Sequence, residues 1–268
     1  MSSESISDEL LSLTRDAREH LTYLHELGMD GINREFDLSV PVVVAAEPAT
    51  VSAPAIVAPV PEPSSTLFGE IRPSPARLVR SSETFADIHA DIGNCLRCPL
   101  YERRTHIVHT EGNRSARLMF IGEAPGADED AQARPFVGRA GQLLTKIIES
   151  IGFKREEVLI GNVNRCRPPG NRPPTADEAA TCKPFLLREI AAVGPEVIVV
   201  LGNTATQNLL GVKQGISRLR GQFQDYQGVK VMPTFHPAYL LRDASKKKET
   251  WEDLKKVRHY LESTPRRQ

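Results

Sequence analysis

No stretch of this 268-residue chain stays apolar over the ~20 residues that a membrane-spanning helix needs. The opening residues, MSSESISDELL, also lack the basic segment and apolar block of a secretory leader. A cytoplasmic protein with no membrane association is the expectation. Charge of one sign is missing too, because 34 Lys and Arg balance 34 Asp and Glu. That balance hides an asymmetry: residues 1–80 carry 6 basic against 12 acidic side chains, leaving 28 against 22 in the remainder. The basic C-terminal part permits a polyanionic partner without requiring one. Phosphate signatures are absent as well. The stretch LMFIGEAPGADED (118–130) is a strand-like run followed by a glycine turn, but it has no lysine and its glycines are not spaced as G-x-G-x-x-G. Its Glu123, Asp128, Glu129 and Asp130 would repel an anion, so a neutral polar ligand fits the turn better.

The chain changes character along its length. Residues 1–30 carry leucines at helical spacing (Leu10, Leu11, Leu21, Leu24, Leu27) and a glycine stop at Gly28, which predicts one amphipathic N-terminal helix. Residues 31–80 form a Pro-rich disordered linker, with eight prolines between 41 and 80. A helix on such a tether suits docking to a protein partner or capping. From residue 81 to 265, strands and helices alternate. Four apolar runs, ARLMFIG (116–122), EVLIGNV (157–163), EVIVVLG (196–202) and VKVMPTF (229–235), are separated by helical segments. This predicts an α/β fold with three layers, α/β/α, around a central four-stranded, mainly parallel sheet. In such sheets the ligand sits beyond the carboxyl ends of the strands. Each run here is followed there by distinctive residues: GEAPG, NRCRPPGNRPP, GNTA and HPAYLLR.

The chain has only four cysteines, Cys95 and Cys98 in CLRC, then Cys166 and Cys182. In a reducing compartment disulfides are disfavoured, and a C-x-x-C with two further thiols points to a metal or an iron-sulfur cluster. Burial as small apolar side chains or a redox pair are the bland readings. Four thiolates suit a tetrahedral zinc or a [4Fe-4S] cluster. Zinc sites usually pair two short knuckles, whereas one is present here, so the spacing leans towards the cluster.

The segments GEAPGADED…RPFVGRAGQLL, NVNRCRPPGNRPP and HPAYLLR, with the cysteine framework, resemble the family 4 uracil-DNA glycosylases, the iron-sulfur branch of the uracil-DNA glycosylase superfamily. The resemblance runs from about Asn94 to Arg242 and leaves residues 1–80 outside it. It implies a monomeric glycosylase domain over 81–265 that removes uracil from single- or double-stranded DNA and initiates base excision repair. By position it places Gly122 and Ala124 in the turn lining the base pocket, Phe136 on the uracil face, and Asn162 on its edge. It makes Glu123 and His236 the catalytic residues and Cys95, Cys98, Cys166 and Cys182 the cluster ligands. Leu240, Leu241 and Arg242 fall in the loop that enters DNA where the base leaves, and Arg165, Arg167 and Arg172 lie near phosphates.

Those roles have a common chemical logic. The base must leave the stack, be read along its edge and be covered by an aromatic ring. An amide at Asn162 can accept from N3–H and donate to O4 of uracil. A donor at His236 would stabilise the charge that grows on O2 as the glycosidic bond breaks. Ala124 stands where the best-known branch has a water-positioning aspartate, so Glu123 or backbone groups take up that task. Two other readings stay open on sequence grounds: a non-catalytic iron-sulfur docking module, and a glycosylase for another deaminated base.

Overall fold

The computed structural model describes residues 78–265. The expected N-terminal helix and nearly all of the expected linker lie outside the described residues, which all belong to the unit Ser65–Gln268. Helix α1 (Phe85–Ile92) starts where the Thr84 hydroxyl accepts the Asp87 amide and the Asp87 carboxylate accepts the Thr84 amide. This reciprocal cap satisfies two amides that the helix itself leaves unpaired. Strands β1 (Glu111–Gly112) and β2 (Leu118–Gly122) follow, then helices α2 (Ala127–Gln132) and α3 (Arg139–Ser150) and strand β3 (Leu159–Asn162). Helix α4 (Ala176–Val193) opens with the same reciprocal cap between Thr175 and Glu178. Beyond it come β4 (Val197–Leu201), α5 (Asn203–Leu210), α6 (Ile216–Leu219), β5 (Gln224–Tyr226), β6 (Val229–Thr234), α7 (Pro237–Arg242) and α8 (Lys247–Ser263).

The strands form one sheet in the order β1-β3-β2-β4-β6-β5. The four inner strands run parallel, and β1 and β5 pair antiparallel at the two edges. Every residue of β2, β3 and β4 is buried, as expected where helices cover both faces and the runs read as continuously apolar. Alternation along β2 sends Leu118 and Phe120 to a face packed by Leu144, Ile148, Leu254 and Val257 from α3 and α8. Met119 and Ile121 meet Leu186, Ile190, Ala205 and Leu209 from α4 and α5 on the other face. The three-layer α/β/α expectation holds. The sheet, however, has six strands and not four. The two additions are edge strands of two and three residues with polar, partly exposed side chains, Glu111–Gly112 and Gln224–Tyr226. Strands that short take their conformation from the neighbour they pair with, so no apolar run announces them. Among the described residues no helix is long and apolar enough to cross a membrane.

Candidate active site

Parallel pairing puts the carboxyl ends of the inner strands at one sheet edge. Gly122 at the end of β2 is in register with Asn162 at the end of β3, and Leu201 of β4 with Thr234 of β6. The Gly202 amide donates to Thr234 O at 2.8 Å, seating the GNTA turn beside the segment that leads to His236. Amides of Val163 and Asn164 donate to the carbonyls of Gly122 and Glu123 at 2.9 and 3.0 Å, so the GEAPG turn is stitched to the loop after β3.

Three predicted site residues meet at Gly122 or beside it. A Cβ on Gly122 would stand 2.4 Å from Asn162 Oδ1 and 2.5 Å from Phe136 Cζ, so only glycine allows this approach. The Phe136 ring lies 5.7 Å from the His236 ring, tilted by 33°. Asn162 is buried, and its Oδ1 has no hydrogen-bond partner within the protein. An orphaned buried carbonyl is costly, and a ligand donor arriving there relieves the cost.

His236 is the N-cap of α7, and its Nδ1 accepts the Ala238 amide at 3.1 Å. Burial pushes its imidazole pKa down to about 4, with a smaller contribution from Arg242. The ring is therefore neutral near pH 7, with its proton on Nε2, an N–H donor free of the cap. Glu123 is half-buried, and burial holds its carboxyl above the usual carboxylate range, opposed by a hydrogen bond from Thr204. Thr204 is a partner that sequence reasoning missed; its place in GNTA, at a neighbouring strand end, was the available signal. Ala124 is half-buried in the same turn and brings no polar group.

The four cysteines are free thiols that line one largely apolar pocket, with Ile92, Ile107 and Phe185 among its walls. Donors surround them. Arg104 Nη1 reaches Cys166 Sγ at 3.3 Å and Cys95 O at 2.7 Å, Arg97 Nη1 reaches Cys95 Sγ at 3.5 Å, and the Arg165 amide reaches Cys182 Sγ at 3.3 Å. Burial raises the thiol pKa of Cys166, Cys98 and Cys182, the last to about 11. Among the described residues no group of three or more Cys, His, Asp or Glu side chains is arranged to hold a metal ion.

The expected DNA-facing residues divide. Arg167 is partly exposed, bonds Asn171 Oδ1 at 2.7 Å, and lines a surface hollow with Arg103. Leu241 and Arg242 are exposed. Leu240 is not: it is 1% exposed, turned inward from α7 beside α3 and α8, so it cannot enter a duplex from this conformation. Arg165 is corrected as well. Its side chain is 2% exposed and pairs with Glu189, which is 0% exposed, at 2.5 Å. Arg172 is engaged by both carboxylate oxygens of Glu178 at 2.8 and 2.7 Å.

Residues 109–255 match the family described as the Uracil DNA glycosylase superfamily. The chain belongs to that superfamily, in keeping with its parallel sheet and with the residues gathered at the sheet's carboxyl edge. Type-4 uracil-DNA glycosylases of Thermotoga maritima and Saccharolobus solfataricus are 47% and 42% identical to it, over 63% and 67% of this chain and 91% and 88% of theirs. A Type-5 uracil-DNA glycosylase of Pyrobaculum aerophilum is 29% identical over 55% of this chain and 79% of its own. Within the superfamily the chain falls in the type-4 branch.

Proposed function

We infer that the protein is a monofunctional uracil-DNA glycosylase that hydrolyses the N-glycosidic bond of a flipped deoxyuridine, leaving an abasic site and initiating base excision repair. What carries this reading is the convergence of Phe136, the unpaired Asn162 carbonyl and neutral His236 at one sheet edge. The flipped base lies against Phe136, where the ring replaces the stacking lost on leaving the duplex. Asn162 Oδ1 accepts from uracil N3–H, and its amide nitrogen donates to O4.

When the C1′–N1 bond breaks, its electron pair passes to the uracil ring and charge accumulates on O2. The Nε2–H of His236 donates to that oxygen more strongly as the charge grows, which lowers the barrier. The sugar becomes cation-like and is attacked by water. Glu123, the acid adjacent to Ala124, orients that water and receives its proton.

Cys95, Cys98, Cys166 and Cys182 hold a [4Fe-4S] cluster. Four free thiols around one apolar pocket, with a single C-x-x-C knuckle among them, suit a cluster better than zinc. When bound, the cluster ties the segment after Cys98 to the loop after β3, a structural role and not a redox one. Arg167, Leu241 and Arg242 face DNA, either single- or double-stranded, through phosphate and gap-filling contacts without sequence preference. Residues 81–265 form the catalytic domain of a monomer, and residues 1–30 dock a protein partner through the 31–80 tether.

A uracil-containing oligonucleotide incubated with the protein and then treated with alkali tests the central claim. Strand scission at uracil only after alkali is expected from wild type, and about 10²–10³-fold more slowly from His236→Ala. Failure at every protein concentration overturns the reading, and equal release of hypoxanthine or xanthine would move it to another deaminated base. A brown protein whose visible absorption disappears in Cys166→Ser, with lower solubility, is the outcome expected of the cluster; bound zinc in a colourless protein would overturn it.

A further inference from the structure

Two of the three acidic residues after GEAPG, Glu129 and Asp130, turn onto backbone amides, while Asp128 is exposed. Glu129 Oε2 accepts the Gly126 amide at 3.1 Å, at the end of the GEAPG turn. Its Oε1 accepts the amides of Val137 and Gly138 at 2.9 and 3.0 Å. The adjacent Asp130 does the same elsewhere, accepting the amides of Thr105 and His106. The carboxylate of Glu129 thus bridges two loops of the site, and Phe136 immediately precedes the Val137 and Gly138 amides.

Phe136 needs such restraint. Its φ is 53°, a left-handed backbone that a bulky side chain keeps only where its surroundings over-determine it. Arg155 Nη2 donates to Pro135 O at 2.6 Å on one side of the residue, and Glu129 holds the amides on the other. The first turn of α3 closes from behind: a Cβ on Gly141 would stand 1.9 Å from Phe136 O. Of these restraints, Glu129 is the one that also grips the GEAPG turn.

We propose that Glu129 is a positioning residue of the glycosylase: by clamping Gly126 to Val137 and Gly138, it fixes the Phe136 ring against the GEAPG turn and sets the slot that receives the flipped base. This rests on the reading of the site as a uracil pocket. Glu129 touches no substrate and acts through Phe136, so its effect must vanish when Phe136 is gone.

Full-length wild type, Glu129→Ala, Glu129→Gln, Phe136→Ala and the double variant Glu129→Ala/Phe136→Ala decide the matter by single-turnover uracil release and amide hydrogen exchange. Misplacing a positioning group by an ångström costs about 100-fold in rate, the loss expected of Glu129→Ala, with DNA affinity nearly unchanged. Glu129→Gln keeps the size and one acceptor oxygen and should fall between Glu129→Ala and wild type. In the Phe136→Ala background the further loss on Glu129→Ala should shrink to about threefold or less, the mark of two residues acting as one unit. Exchange at Val137 and Gly138 should accelerate by about tenfold or more in Glu129→Ala, because their acceptor is gone. Losses that multiply in the double variant, or unchanged exchange at those amides, overturn the proposal. Should wild type release no uracil, the glycosylase reading falls, while the exchange measurement still decides whether the clamp exists.

Discussion

A histidine that caps a helix with Nδ1 must carry its proton on Nε2, and this single hydrogen bond makes His236 a defined donor. On the proposed mechanism, replacing it with alanine removes one donor from the developing oxyanion and should lower kcat by about 10²–10³-fold, read in single-turnover assays. Its pKa of about 4 keeps the ring neutral well below pH 6. The linkage has a definite sign: the unfolded chain takes up the proton as pH falls below the ordinary histidine range, while the folded protein resists until about 4. Stability is therefore lost across that interval, and His236→Asn should flatten the fall in urea midpoint over it. Glu123 sits on the opposite side of its ordinary value, held up by burial. If it must be ionised to receive the proton of water, the wild-type rate should drop on acidification at a pH above the usual carboxylate range. Glu123→Gln should abolish that limb along with most of the rate, and an unchanged limb would remove Glu123 from this role.

At the scale of elements, legibility in the sequence followed burial on both faces. The four parallel strands are dominated by Val, Ile, Leu, Met and Phe because their faces are covered, Lys230 of β6 being the partly exposed exception, and each was readable to within two residues. β1 and β5 were not, since two or three polar residues carry no periodicity and their pairing is a property of the neighbour. Loops were less transparent still. In RCRPPGNR, Arg165 and Arg167 are two positions apart, yet one is sealed in the core and the other reaches the surface. Arg165, Thr110 and Glu189 form a closed buried triangle, with Arg165 Nη1 donating to Thr110 Oγ1 and both Arg165 Nη2 and the Thr110 hydroxyl donating to Glu189 Oε2. Breaking a buried pair from one side leaves an uncompensated charge, so Glu189→Gln should destabilise the protein by about 3–5 kcal/mol in urea unfolding. The same change should leave the residues of the base pocket in place, so kcat measured well below the unfolding temperature should be nearly retained.

For the whole molecule, zero net charge conceals a basic C-terminal part and an acidic N-terminal one. Binding to a uracil-free duplex should weaken as salt rises, and Arg242→Ala should reduce the slope of log K against log salt by about 1. The relatives' own lengths are 88–91% used up by a match to 63–67% of this chain, and the family match begins only at residue 109. A protein lacking residues 1–77 should keep its uracil-releasing rate, measured on the same oligonucleotide, and lose only whatever docking the N-terminal segment provides.

What the sequence by itself determined is the layered α/β frame and the sheet edge at which Gly122, Asn162, Phe136 and His236 gather. Strand periodicity, chain order and motif spacing are local properties, and they survive being read one residue at a time. Tertiary structure decided which neighbours of those residues are engaged. Leu240 turned inward and Leu241 outward, Arg165 was consumed by Glu189, Thr204 became the partner of Glu123, and Glu129 was spent on three backbone amides. Each of these depends on a partner distant in sequence or on the direction a side chain takes from a loop, and both are settled only when the layers close over the sheet.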